Sequence, residues 1–173
     1  MAPFDIGPVL NTLDNAARLR ELKRLMVLDT SDEQSYDDIT RLAAQVCGTP
    51  IALISLVDET RQWFKSRVGL QARQTPREQA FCAHAIVAEQ PLVVEDARAD
   101  PRFVDNPLVT GEPGIRFYAG APLTTSNGQT LGTLCVIDTV PRKVTPAQMD
   151  QLKFMAQQVI AMLEQRTAVA PPA

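Results

Sequence analysis

The segment Ile51–Val57, IALISLV, constrains the fold more than any other stretch of this chain. Ile51, Leu53 and Val57 lie on one side of an extended backbone, and Ala52, Ile54 and Leu56 on the other. A strand that is apolar on both sides must be covered on both sides, so it belongs near the centre of a sheet with layers above and below. Asp58-Glu59 begins a turn, and a second strand follows over Gln62–Val68, carrying Trp63 and Phe64. So short a link makes the two strands antiparallel neighbours. Arg116–Leu123 and Leu131–Asp138 repeat the pattern around Thr125-Ser126-Asn127-Gly128, whose Asn-Gly pair is a strong hairpin signal. Pro91–Glu95 adds a short strand.

Helical periodicity fills the remainder. Asn15–Leu28 gathers Leu19, Leu22, Leu25 and Met26 on one side. Ser31 and Gln34 form a capping box that opens a helix ending at Gly48, with Tyr36, Ile39, Leu42, Ala43 and Val46 as its apolar face. Thr75-Pro76-Arg77-Glu78 is a second capping box, predicting a helix to Ala88. Asp100-Pro101 predicts a cap and a helical turn through Val104, and Asp105–Gly114, with two prolines and two glycines, reads as a loop. Thr145-Pro146-Ala147-Gln148 opens the last helix, whose Met149, Leu152, Ala156, Val159 and Leu163 follow heptad spacing. The periodicities total about six strands and four or five helices, an α+β chain with a mainly antiparallel sheet. Residues 1–14 read as a flexible arm, 15–166 as one domain with its terminal helices, and 167–173 as a disordered Pro/Ala tail.

Composition narrows the function classes. With 45% hydrophobic and 21% charged residues, 173 residues can build a core without disulfides or metal. A net charge of −3 and the lack of a basic patch argue against nucleic acid. No apolar run is long enough to span a bilayer, and the first residues lack a secretory pattern, so cytoplasm is the expected compartment and no membrane partner is expected. Three cysteines in apolar settings fit free thiols.

Between Thr75 and Asp138, FCAHAI leads to PLVVEDA, then to an Asp/Asn/Pro-rich segment, then to RFYAGAPL and LGTLCVID around a Ser-Asn-Gly turn. This order resembles the second half of a GAF domain, a small bacterial sensor module. The segment from LRELKRLMVLDT through VDETRQWFKS resembles the first half, and the resemblance runs from Arg18 to Glu164. It implies an α/β/α sandwich with the terminal helices on one sheet face. On the other face, the Thr75 helix and the Asp96–Gly114 segment would roof a ligand pocket. It further implies signal transduction, homodimerisation through the terminal helices, and a histidine kinase or diguanylate cyclase as output partner.

The pocket candidates are Trp63, Phe81, Cys82, His84, Ala85, Asp96, Asp100, Phe103, Asn106, Arg116 and Tyr118. The dimer candidates are Leu19, Leu22, Met26, Met149, Leu152, Ala156, Val159 and Leu163, and packing of the same seam on the sheet is the competing reading, which must hold at least in part. Each polar pocket candidate also has an architectural reading: Asp100, Asp105 and Asn106 suit turn caps. Arg116 could pair with Asp96 or Asp100, or anchor an anionic ligand. His84 is the sole histidine. Cys82 and His84 point about 160–200° apart on a helix, and there is no CxxC or HxxxH, so no metal or cofactor is expected.

Three family chemistries depart from this sequence. Bilin-binding GAF domains carry Cys directly followed by His, whereas here Ala83 intervenes. Free methionine-R-sulfoxide reductases keep a reactive cysteine in the segment matching Asp96–Phe117, which holds none here, although Cys82 matches another. The Asn-Lys-x-Phe-x-x-x-Asp-Glu pattern of cyclic-nucleotide GAF domains is absent, as is a glycine-rich phosphate loop. The reading is therefore a non-enzymatic sensor, with a thiol-dependent enzyme similar to the free methionine sulfoxide reductases as the lesser alternative. Its rival is a ligand-free dimerisation or protein-interaction module whose pocket is filled by Phe81, Trp63, Phe103, Phe117 and Tyr118.

Overall fold

The computed structural model describes residues 7–168. A six-stranded antiparallel sheet runs in the order β3-β2-β1-β6-β5-β4. Its strands are β1 (Ile51–Val57), β2 (Arg61–Val68), β3 (Gln74–Pro76), β4 (Leu92–Val94), β5 (Phe117–Thr124) and β6 (Thr130–Asp138). As the two-sided pattern requires, β1 lies inside the sheet between β2 and β6, buried along its whole length. Ala52, Ile54 and Leu56 join one core, and Ile51, Leu53 and Val57 the other.

The first core is closed by α2 (Ala16–Arg24), α3 (Gln34–Cys47) and α6 (Pro146–Ala168). The second lies under α4 (Cys82–Ala88), with α1 (Gly7–Leu13) packed against it. The chain is therefore an α/β/α sandwich. Gly132 permits a close approach at its centre, since a Cβ there would lie 1.7 Å from the Ser55 carbonyl oxygen.

Local signals succeeded where no tertiary partner competed. Thr145 and Gln148 form the reciprocal capping box, at 3.1 and 2.9 Å. Gly48 ends α3 in the left-handed conformation. Two boxes did not form. The Ser31 carbonyl instead accepts from Lys65 Nζ at 2.7 Å, and α3 starts at Gln34 without a side-chain cap. Thr75 belongs to β3, and its hydroxyl accepts from Gln62 Nε2 at 2.8 Å. Only a 3-10 turn over Arg77–Gln79 follows before α4 begins at Cys82. Part of the expected arm is also ordered: Gly7–Leu13 forms α1, whose Leu13 is fully buried. Of the expected tail, Thr167 and Ala168 belong to α6, and residues 169–173 lie outside the described residues.

A bulge in β2 decides which side chains reach which face. Ile54 pairs with Ser66 and Ser55 with Phe64, leaving Lys65 unpaired between them. Phe64 enters the α4-side core, while Trp63 enters the core under the helical layer. Lys65 is buried with its ammonium held by Thr30 Oγ1 at 2.8 Å, Ser31 O and Glu33 Oε2 at 2.6 Å.

Candidate functional site

The α4 side of the sheet is incompletely filled. A cavity of about 290 Å³ remains there. Ile51 and Leu53 from β1, Phe64 from β2, Tyr118 from β5, and Cys135 and Ile137 from β6 form its floor. The segment Leu70–Ala72, Phe81, and Leu108, Pro113 and Ile115 from the loop before β5 form its walls and roof. Among the described residues, none that line it is Arg, Lys or His, and Glu112 is the one formal charge. Such a site favours an uncharged, apolar guest, because a buried ion without a partner is costly.

Its polar groups are largely engaged with one another. Gln62 Oε1 accepts from Ser55 Oγ at 2.7 Å and Cys82 Sγ at 2.9 Å, while Gln62 Nε2 donates to Thr75 Oγ1. The Tyr118 hydroxyl bonds Thr133 Oγ1 at 2.9 Å. Burial pushes the Cys82 thiol up to about 11 and the Cys135 thiol up to about 12. Burial also raises Cys47. All three are thiols rather than thiolates at neutral pH, and the thiolate is the nucleophile.

The cavity gathers few of the residues singled out from sequence. Phe81 and Tyr118 line it. Phe103 lies behind Phe81, stacked on it at 4.1 Å between ring centroids, and His84 meets the Phe103 edge at 4.9 Å. Burial, and then Arg102, lower the His84 pKa, favouring neutral imidazole. Cys82 and Ala85 are packed in the α4 core. Trp63 lies across the sheet, because its cross-strand partner Leu56 faces the helical layer.

The polar candidates take their architectural roles. Asp96 caps the turn at Ala97–Ala99 through Arg98 N at 3.1 Å, and Asp100 receives Arg102 N at 3.0 Å. Each carboxylate also pairs with that arginine's guanidinium, which holds its pKa below the usual range. Asn106 caps α5 (Pro107–Thr110) through Leu108 N at 2.9 Å and donates to Gln79 O at 3.1 Å. Arg116 donates to the Val109 and Ile115 carbonyls at 3.0 and 3.1 Å, pinning the roof rather than pairing with Asp96 or Asp100.

The expected dimer seam faces inward. Leu22, Leu152, Ala156, Val159 and Leu163 are at most 2% exposed within a single chain. Leu19 and Met149 are half-buried, and Met26 is exposed. Heptad spacing on α6 therefore packs against the sheet. Lining residues such as Leu70, Leu108 and Ile115 went unmarked in the sequence, because irregular segments show no periodicity and α5, which carries Leu108, has only 4 residues. Leu53 and Ile137 were legible only as one face of a strand.

No group of three or more His, Cys, Asp or Glu able to hold a metal occurs among the described residues, and no helix among them is long and apolar enough to cross a membrane.

Comparison with known proteins places this geometry. A family model described as GAF domain matches residues 32–163. A cyclic di-GMP phosphodiesterase from Pseudomonas aeruginosa is 50% identical over 129 residues, which is 75% of this chain but 22% of that protein. The chain thus spans less than a quarter of that relative's length. The crystal structure of the GAF domain from an Acinetobacter phosphoenolpyruvate-protein phosphotransferase superposes with a TM-score of 0.67 at 19% identity, covering 91% of this chain and 96% of that one. The free methionine-R-sulfoxide reductase of Neisseria meningitidis, solved with its substrate, gives 0.59 at 19% identity, covering 87% and 86%. At these identities the two structures establish a shared fold.

Proposed function

The chain belongs to the GAF domain family, a family of signalling sensor-type domains, and on that premise we propose that it senses a small, uncharged, largely apolar molecule. The observation that carries this reading is the apolar cavity between the sheet and the α4 side, lined by no cationic side chain. A cavity of ~150 Å³ accommodates benzene, so about twice that volume suits a guest of about twelve heavy atoms. A phosphodiester ligand such as a cyclic dinucleotide would bring charge with no cation to meet it. Chemistry that needs a thiolate is disfavoured by the elevated thiols.

The cavity floor supplies a route to the helical layer. Tyr118, Cys135 and Ile137 face the cavity, and their strand neighbours Ala119, Leu134 and Val136 face α3 and α6. A guest that shifts the floor repacks the helices, provided it binds one helix arrangement more tightly than another. The outward side of α6 is the surface offered to a second copy. Ala147, Gln151, Phe154, Gln158, Ala161 and Gln165 repeat at intervals of four and three, all exposed and none charged. Phe154 at its centre is 61% exposed. This uncharged heptad stripe supports a homodimer along α6, in place of the inward seam. The 50% identity to part of a cyclic di-GMP phosphodiesterase supports an output that controls cyclic di-GMP turnover.

The test is thermal shift against a panel of uncharged aromatic and heterocyclic molecules, with nucleotides and amino acids as the contrast. A stabilising hit confined to the uncharged set, lost when Leu53→Trp fills the cavity, supports the reading. Stabilisation by nucleotides alone refutes it.

A further inference from the structure

A second feature, separate from the cavity, is a buried concentration of positive charge where α1, α2 and the Arg77–Gln79 turn meet. Arg18 in the first turn of α2 is only 3% exposed. Its Nε donates to the Leu13 carbonyl at the end of α1, at 2.9 Å. Its Nη1 and Nη2 are enclosed and meet no acceptor among the described residues. Arg77 Nη1 pairs with Asp14, yet Arg77 Nε is likewise enclosed and without an acceptor. Both guanidinium groups are tied to the α1–α2 junction, Arg18 to the Leu13 carbonyl and Arg77 to Asp14, and Arg77 adds to the effect of burial in disfavouring the Arg18 charge.

The charges around them do not supply the missing acceptor. Asp14 is engaged by Arg77 and half exposed. Asp58 faces Arg61 at 3.5 Å and makes no hydrogen bond to Arg18. Cys82 acts electrostatically on Arg18, but with its thiol pushed up to about 11 it is neutral at pH 7 and offers no counter-charge. Enclosed cationic donors without acceptors are among the most expensive features a fold can carry. They mark places where an ion completes the structure.

We propose that Arg18 and Arg77 together bind one small monovalent anion, a halide or a single carboxylate oxygen, inside the α1–α2 junction. Nη1 and Nη2 of Arg18 and Nε of Arg77 are its donors. None of these donors lines the 290 Å³ cavity, so the site is distinct from the sensing pocket, and each donor is closed over so tightly that an ion enters only as the two side chains part, which restricts it to a small one. Bound there, the anion ties the end of α1, the start of α2 and the strand-to-turn segment at Arg77 into one unit. This proposal does not depend on the sensor reading.

The test is the melting temperature of the intact chain at constant ionic strength, with chloride or acetate replacing bulky gluconate. The melting temperature should rise with the logarithm of anion concentration above the dissociation constant, by about 3–5 °C per tenfold. Chloride acting alone identifies a halide site, and acetate acting as well identifies a carboxylate site. Arg18→Met and Arg77→Met should each abolish the dependence, and Arg18→Met should exceed the wild-type melting temperature in gluconate, where its buried charge has no partner. A flat wild-type response overturns the proposal. An equal rise in wild type and both variants also overturns it, because that is adventitious binding elsewhere. Should a variant fail to fold, anomalous scattering from wild-type crystals in bromide decides: no bromide between the two guanidinium groups overturns it.

Discussion

Cys135→Leu puts the cavity to a direct energetic test. Cys135 lies on β6 with its side chain on the cavity floor. Leucine replaces the sulfur with a carbon and adds two more heavy atoms, directed toward about 290 Å³ of unfilled space. Each added methylene-sized group removed from water is worth about 0.8 kcal/mol, so the ceiling is about 1.6 kcal/mol of stabilisation. Imperfect fit brings the expectation down to about 0.5–1 kcal/mol. The control is Cys82→Leu. Cys82 is fully buried, lines no cavity and donates to Gln62 at 2.9 Å. The same enlargement there overpacks the core and removes a hydrogen bond, at a cost of about 2–4 kcal/mol. Urea denaturation with linear extrapolation measures both variants. Ligand-induced stabilisation should weaken in Cys135→Leu, because the added carbons take part of the guest's volume. Destabilisation of Cys135→Leu by more than 1 kcal/mol would refute the reasoning. The floor would then be close-packed, and the interaction-module alternative would gain.

Three further outcomes follow from the geometry. Lys65→Met leaves the Ser31 carbonyl without its buried donor and should cost about 2–4 kcal/mol by denaturation. Lys65, with Arg166, also depresses the Glu33 pKa, so the ion-pair contribution is present above the carboxylate's unfolded value and fades as pH falls through its lowered folded value. The wild-type advantage over Lys65→Met should therefore narrow in acid and hold steady at neutral pH. Gly132→Ala forces a Cβ against the Ser55 carbonyl between β1 and β6, and a melting temperature lowered by less than 2 °C would show that the sheet adjusts freely there. Phe154→Glu places charge in the outward stripe of α6, and should raise the dimer dissociation constant at least tenfold in sedimentation without lowering the melting temperature of the monomer.

The legible parts of the fold were those where one residue pattern admits one physical solution. The two-sided β1, the Asn-Gly hairpin and the Thr145 capping box all formed, and the distant bonds that Asn127 and Gln148 also make, to Glu21 and the Val46 carbonyl, use side-chain nitrogens that the turn and the cap leave free. Thr75 and Ser31 show the limit. A Thr or Ser that could cap a helix is equally able to serve a strand neighbour or a buried lysine, and the choice depends on residues distant in sequence. Trp63 shows another limit. Its face was set by pairing with Leu56 and by the bulge at Lys65, and register is a tertiary quantity. The cavity was foreseen on the correct side of the sheet but with mostly different walls. Asp96, Asp100, Asn106 and Arg116 drew notice as polar residues in a loop, yet they build the loop. Apolar residues from irregular segments line the space instead. The heptad on α6 left two readings open for a related reason: heptad spacing marks a buried stripe, and a sheet can bury it as well as a second helix.

Native and denaturing mass spectra of the freshly purified chain decide whether the cavity holds a small uncharged molecule. Under native conditions each chain should carry about 150–200 Da of extra mass, consistent with about twelve heavy atoms, and lose it on denaturation. A chain of bare mass under native conditions, unchanged after incubation with the uncharged aromatic panel, would contradict this occupancy.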